Sequence, residues 1–122
     1  MYIHFILYFL RTIKDGLHGT ISEIKIQYIT IPGTVVLSCQ YKNIPTLTWR
    51  QRKFIVSQDS TINPNFDGSE RFRATIKQKD KQYELQILNT TEEDLGVYVC
   101  DAQLNSTTTE TKVILRLAGK II

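Results

Sequence analysis

From Ile24 onward, apolar and polar residues alternate with a period of two, and turn-forming residues interrupt the pattern about every ten positions. A helix would need a period of 3.6, so the pattern predicts an all-β chain of short, half-buried strands. Val35, Leu37 and Cys39 alternate with Val36 and Ser38, and Leu47 and Trp49 alternate with Thr48 and Arg50. Pro32-Gly33 and Asn43-Ile44-Pro45 punctuate these two strands. Phe54, Ile55 and Val56 form a short edge strand, followed by turns at Asn63-Pro64-Asn65 and Asp67-Gly68. Two further alternating sets, Phe72-Ala74-Ile76 and Tyr83-Leu85-Ile87, flank a charged turn at 77–81 and are expected to pair antiparallel. Residues 91–95 form a short acidic segment with Thr90 or Thr91 as its cap, which suits one helical turn. A strand over 97–103, a loop over 105–109 and a last strand over 111–117 complete the chain, with Val113, Leu115 and Leu117 on one face.

The amino end breaks this pattern. Residues 1–10 are nearly all apolar and give way to Arg11, Lys14 and Asp15, the profile of a short signal-peptide core or a disordered extension over 1–20. The run is too short to cross a bilayer as a helix, and no later stretch reaches the roughly 20 apolar residues that a span requires. The expected organisation is a folded domain over 24–118, with 119–122 as a linker or fragment end.

Composition narrows the function classes. A chain of 122 residues holds one domain of ordinary size, and 42% hydrophobic with 22% charged residues places it among folded globular domains. Fifteen basic against twelve acidic side chains leave +3, too small and scattered an excess to mark a nucleic-acid binder. The two cysteines, Cys39 and Cys100, stand 61 positions apart, which excludes C-x-x-C metal and redox spacing and leaves each as the other's only intrachain partner. A bridge closing such a loop contributes about 4 kcal/mol in the chain-entropy model. It persists in an oxidising compartment, so the chain is expected outside the cell, secreted or at a cell surface.

Cys39, Trp49, Tyr98 and Cys100 form the constellation expected where two packed sheets are cross-linked through a shared core. Asp94, Gly96, Tyr98 and Cys100 add the string D-x-G-x-Y-x-C. On these residues the chain resembles the immunoglobulin superfamily over about residues 24–117. The resemblance implies a two-sheet Greek-key sandwich of variable-like or intermediate type, with Leu37, Trp49, Leu85 and Tyr98 in its core. It also implies that Arg71, opening the strand after the long loop, pairs with Asp94. The Phe/Trp-Gly-x-Gly of antigen-receptor variable domains is absent, since Thr109-Glu110-Thr111-Lys112 stands in its place. Ile31-Pro32-Gly33-Thr34-Val35, residues 83–87, residues 92–98 and residues 111–115 look like strand blocks in the first domain of neuronal adhesion proteins of the lachesin, amalgam and IgLON kind. That likeness implies an adhesion molecule of several domains.

Reactive chemistry is not expected. His4 and His18 precede the folded region, so a nucleophile in the sandwich lacks a histidine base, and no enzyme activity is predicted. Asp59, Asp67 and Glu70 do not make a calcium loop, and Gly16 and Gly19 do not make a phosphate loop, so no metal or cofactor is expected. Arg50, Arg52, Lys53, Arg71, Arg73, Lys77, Lys79 and Lys81 could form a band attracting sulfated glycans, although a solvated surface explains them more simply. Asn89-Thr90-Thr91 and Asn105-Ser106-Thr107 are glycosylation triplets in a secreted chain.

If Trp49 and Cys100 point inward, alternation sends Arg50, Val97, Val99, Asp101 and Ile114 to the outside of one sheet. This predicts solvent-facing valines at the centre of a polar-rimmed protein interface on the C-C′-F-G sheet, a face that the resemblance associates with adhesion. The simpler reading is that β-branched residues suit strands anywhere. The expected function is protein recognition, in adhesion to another immunoglobulin-type surface protein, homophilic or heterophilic. An immune-type receptor or soluble decoy and a structural spacer are the alternatives.

Overall fold

A computed structural model describes residues 4–5, 11–14 and 19–119 of the chain. The expected signal segment falls mostly on residues 1–3, 6–10 and 15–18, which lie outside the described residues. The short strands β1 (His4–Phe5) and β2 (Arg11–Lys14) both pair with β3 (Gly19–Ile29), which begins before the domain start expected at 24. Next come β4 (Val35–Gln40), β5 (Thr46–Gln51), β6 (Phe54–Gln58) and β7 (Thr61–Ile62). The order closes with β8 (Phe72–Lys77), β9 (Gln82–Ile87), β10 (Gly96–Leu104) and β11 (Thr107–Leu117). The described residues contain no α-helix, only two 3-10 turns at Ser69–Arg71 and Glu92–Asp94.

The strands make two sheets, one ordered β1-β3-β11-β10-β5-β6-β7 and a smaller one ordered β4-β9-β8. All neighbours in them run antiparallel except β3 and β11, which are parallel. The Cys39–Cys100 disulfide joins β4 of one sheet to β10 of the other. This is the all-β, immunoglobulin-type sandwich that the cysteine and tryptophan spacing predicts.

The core lies where the inward halves of the alternations meet: Leu37, Cys39, Leu47, Trp49, Phe72, Tyr83, Leu85, Ile87, Tyr98, Val113 and Leu115 are buried. Trp49 stacks on Tyr83 at 5.7 Å between ring centroids. Its indole N–H has no hydrogen-bond partner among the described residues, so the ring acts through packing and not polarity. Tyr83 ties the layers by polarity instead: its hydroxyl donates to the Asp59 carbonyl (2.6 Å) and accepts from Ser57 (2.7 Å). Burial pushes the Tyr83 hydroxyl up to about 12.

One expected loop is a strand. In place of a loop over 105–109, β10 and β11 are joined by a tight turn at residues 105–106, with Asn105 at φ 56°. Asparagine tolerates that left-handed conformation, and the β-branched Thr107, Thr108 and Thr109 suit an extended ladder, which extends β11 toward its amino end. The short β7, paired to β6, was also not apparent from its two-residue pattern.

Candidate functional site

The outer face of the larger sheet is built by register. Because Trp49, Cys100 and Val113 enter the core, their strand neighbours point away from it. One row runs Ile55 on β6, Arg50 on β5, Val99 on β10, Lys112 on β11 and Ile24 on β3. The next row toward the carboxyl end of β11 holds Val97, Ile114 and Ile26, and the row on the other side holds Thr48, Asp101 and Glu110. All five residues expected on a recognition face, Arg50, Val97, Val99, Asp101 and Ile114, therefore lie on this side of the sheet.

Val99 corrects part of that expectation. Val97 is 41% exposed and Ile55 38%, whereas Val99 is only 4% exposed although it lies outside the core cluster. The physical reason is the Arg50 side chain. Its Nε donates to Asp101 Oδ2 at 2.7 Å, and its Nη2 donates to Glu110 Oε2 at 3.2 Å. Glu110 is on β11 and Arg50 on β5, so the guanidinium must cross β10, the strand between them, and it covers Val99 on the way. Lys112 closes the other side, 3.8 Å from Glu110. The Asp101 hydrogen bond, helped by Glu110, holds the Arg50 guanidinium charged beyond its ordinary value against partial burial. A solvent-facing Val99 is thus replaced by a roofed one.

The face is consequently apolar at Ile55, Val97 and Ile114, with Ile24 and Ile26 beside them, and carries two cations and two carboxylates that satisfy each other. Glu110, Lys112, Ile24, Ile26 and Ile55 were missed from sequence. Strand alternation places Glu110 and Lys112 outward once Val113 is taken as inward, so these two were readable. Nothing in the sequence shows that β3 lies parallel beside β11.

At one end of the sheet, Arg71 and Asp94 form a two-pronged pair, Nη1–Oδ2 2.8 Å and Nη2–Oδ1 2.9 Å. Arg71 Nη1 also donates to the Leu88 and Asn89 carbonyls. Burial opposes the Asp94 charge, but the Arg71 hydrogen bond and the Thr91 backbone N–H (2.8 Å) outweigh it and hold the carboxyl below its ordinary value. Tyr98 donates to the Asp94 carbonyl at 2.8 Å, and Gly96 between them sits at φ 126°, a region closed to most side chains. This corner fixes the start of β10, and with it the phase that turns Val97 outward.

The eight basic residues grouped along the sequence do not make one band. Arg50 belongs to the face lattice, Arg52 and Lys53 to the β5–β6 turn, Arg71 to the Asp94 pair, and Arg73, Lys77, Lys79 and Lys81 to β8 and its turn. Asn89 and Asn105 are both exposed, at opposite ends of the sandwich. Among the described residues there is no cluster of three or more His, Cys, Asp or Glu side chains placed to hold a metal. No helix among them is long and apolar enough to cross a membrane.

A family model described as the immunoglobulin V-set domain matches residues 32–117. No curated protein matches the chain in sequence. Among solved structures, the second Ig domain of mouse polymeric immunoglobulin receptor is 19% identical with a TM-score of 0.66, over 80% of this chain and 99% of that one. The ZIG-8–RIG-5 IG1–IG1 heterodimer is 14% identical with a TM-score of 0.65, over 77% of this chain and 82% of that one. Dpr2 Ig1–Ig2 in complex with DIP-Theta Ig1–Ig3 is 18% identical with a TM-score of 0.63, over 74% of this chain and 30% of that one. At these identities the structures show a shared sandwich fold.

Proposed function

Because the chain belongs to the immunoglobulin V-set domain family, we propose that it is an extracellular module that recognises another immunoglobulin-type protein through the outer face of its larger sheet, in cell adhesion. The observation that carries this reading is the apolar strip of Ile55, Val97 and Ile114 around a charge lattice already neutralised within the domain. A charge lattice that satisfies itself leaves no unpaired charge to desolvate, and the apolar side chains beside it supply the area that a protein interface buries. Two of the similar structures are complexes between immunoglobulin domains, which supports a partner of the same type. The resemblance of four strand blocks to lachesin- and IgLON-type first domains favours adhesion over an immune receptor, a soluble decoy or a spacer. The domain holds and orients a partner, with no reaction to catalyse.

The test is binding of the secreted domain to itself and to a panel of immunoglobulin-type ectodomains by surface plasmon resonance, comparing the parent with Val97→Glu and Ile114→Glu. Each substitution puts a charge into an apolar contact and is expected to abolish binding while leaving the melting temperature unchanged. Binding that survives both substitutions in the folded protein would refute this face. The pairs that respond separate homophilic from heterophilic recognition.

A further inference from the structure

The charge of this domain is segregated. Arg73, Lys77, Lys79 and Lys81, on β8 and the turn after it, are all exposed, as is Lys42 just past β4. Glu84 and Asp80 are the carboxylates among them, so five cations face two anions, an excess as large as the whole chain's +3. Five of the twelve acidic residues, Asp67, Glu70, Glu92, Glu93 and Asp94, lie toward the Arg71–Asp94 end, where Arg73 begins the basic set. The recognition face on the opposite sheet is neutral by internal pairing.

The cations form an ordered row. Phe72 is buried and Ala74 and Ile76 pack against the core, so Arg73 and Lys77 project from the outer side of β8, an edge strand of its sheet. Thr75 is the outward residue between them, so Arg73 and Lys77 stand about 13 Å apart along the strand. Arg73 is held in place by donating to the Glu70 (2.8 Å) and Phe72 (2.9 Å) carbonyls. Lys81 lies 5.9 Å from the centre of the Tyr41 ring, and the Tyr41 N–H donates to the Lys81 carbonyl, which brings Lys42 alongside. Lys77 pairs with Glu84 at 3.3 Å and stays half exposed.

We propose that this β8 edge binds a sulfated polysaccharide, independently of the protein-recognition face. Exposed cations spread along an edge strand and its turn match a linear polymer carrying an anion at each repeat. Nucleic acid fits less well: the aromatic ring at the row, Tyr41, is buried and offers no platform for stacking bases. A bilayer fits less well too, because the exposed Ile44 in the neighbouring turn is far smaller than the apolar face that interfacial binding requires. The Cys39–Cys100 bridge belongs to an oxidising compartment, where sulfated polysaccharides are the abundant polyanions.

The probe is heparin, with chemically desulfated heparin and phosphatidylserine vesicles beside it, against the secreted, disulfide-bonded protein. The parent is expected to bind heparin at physiological ionic strength, to lose affinity steeply with added salt, and to ignore the other two probes. Combining Lys77→Gln, Lys79→Gln and Lys81→Gln is expected to weaken heparin binding about tenfold or more, while Arg52→Gln with Lys53→Gln, equally exposed cations elsewhere, changes it less than about twofold. Circular dichroism confirms that both variants fold. No heparin binding by the parent, an equal effect of the two variants, or vesicle binding without heparin binding would overturn the proposal. Aggregation of the triple variant, with no heparin affinity in the parent, would show that the lysines guard the strand edge against pairing with other chains and bind no polyanion.

Discussion

Arg50 lies across Val99: the guanidinium bonds Asp101 at 2.7 Å on the same strand as the valine and Glu110 at 3.2 Å on the strand beyond it. An outward-pointing residue at the centre of the exposed sheet is thereby sealed by an arginine stem, while its neighbour Val97 stays open. The two valines share strand, phase and chemistry and differ in their cover.

The first expected outcome follows from that difference. Val97→Glu leaves the carboxylate in water and should shift unfolding free energy by less than about 0.5 kcal/mol, as surface changes do. Val99→Glu puts a further carboxylate beneath a guanidinium already shared by Asp101 and Glu110, and should cost about 1–3 kcal/mol. Chemical denaturation of the two variants measures this, and equal midpoints would show that Arg50 does not cover Val99 in solution.

Asp94 should govern stability in acid. Its folded-state value is depressed, so its contribution is complete above the unfolded carboxyl value of about 4 and is lost as pH falls through the lower folded value. Asp94→Asn should cost about 2–4 kcal/mol at neutral pH, less than a fully buried pair because Arg71 is partly exposed, and should flatten the stability profile below about pH 4. Denaturant midpoints of parent and variant between pH 2 and 7 check both expectations. A parallel pair of curves would show that Asp94 does not set the acid limb.

Tyr83 should act at the alkaline end. Its folded value is raised, so the unfolded chain releases the proton first, and its stabilising contribution, complete below about pH 10, is lost as pH rises toward 12. Tyr83→Phe should make the loss above pH 10 shallower without removing it, because burial also raises Tyr98. At neutral pH the same change strands the Ser57 hydroxyl and the Asp59 carbonyl, at a cost of about 1–3 kcal/mol. Thermal melts at pH 7 and pH 11 distinguish the two effects.

Much of this was readable from local pattern. Cys39, Trp49, Tyr98 and Cys100 fix the sandwich because a disulfide, an indole and a corner tyrosine have few other ways to share one core, and the alternation around them assigned inside and outside correctly for Arg50, Val97, Asp101 and Ile114. Alternation gives a direction and not an accessibility, which is why Val99 was expected in solvent. Its burial depends on a salt bridge between residues 60 positions apart. The apolar width of the face was hidden for a related reason: Ile24 and Ile26 reach it through a parallel pairing of β3 with β11 that leaves no local signal. The basic row was blurred by sequence proximity, since Arg50 and Arg73 belong to different sheets.

The last expectation concerns Asn105 and Asn89. Both are exposed, and both sit at positive φ, 56° and 49°, in turns that follow a strand. Asn105 follows Leu104 at the end of β10, in line with Asp101 of the proposed recognition face, whereas Asn89 follows β9 of the other sheet. A glycan at Asn105 would stand at the rim of the face and limit how closely a partner can lie, and one at Asn89 would not. Replacing either by Asp removes the acceptor while keeping a residue that tolerates the left-handed turn, so stability should be unchanged within about 0.5 kcal/mol. Intact mass of protein secreted from mammalian cells should fall by one glycan in each variant. Partner affinity should change with Asn105→Asp and stay constant with Asn89→Asp. A parent whose mass equals that of the bare polypeptide would remove the glycans from the account, and equal effects of the two variants on binding would place the partner elsewhere than beside the β10–β11 turn.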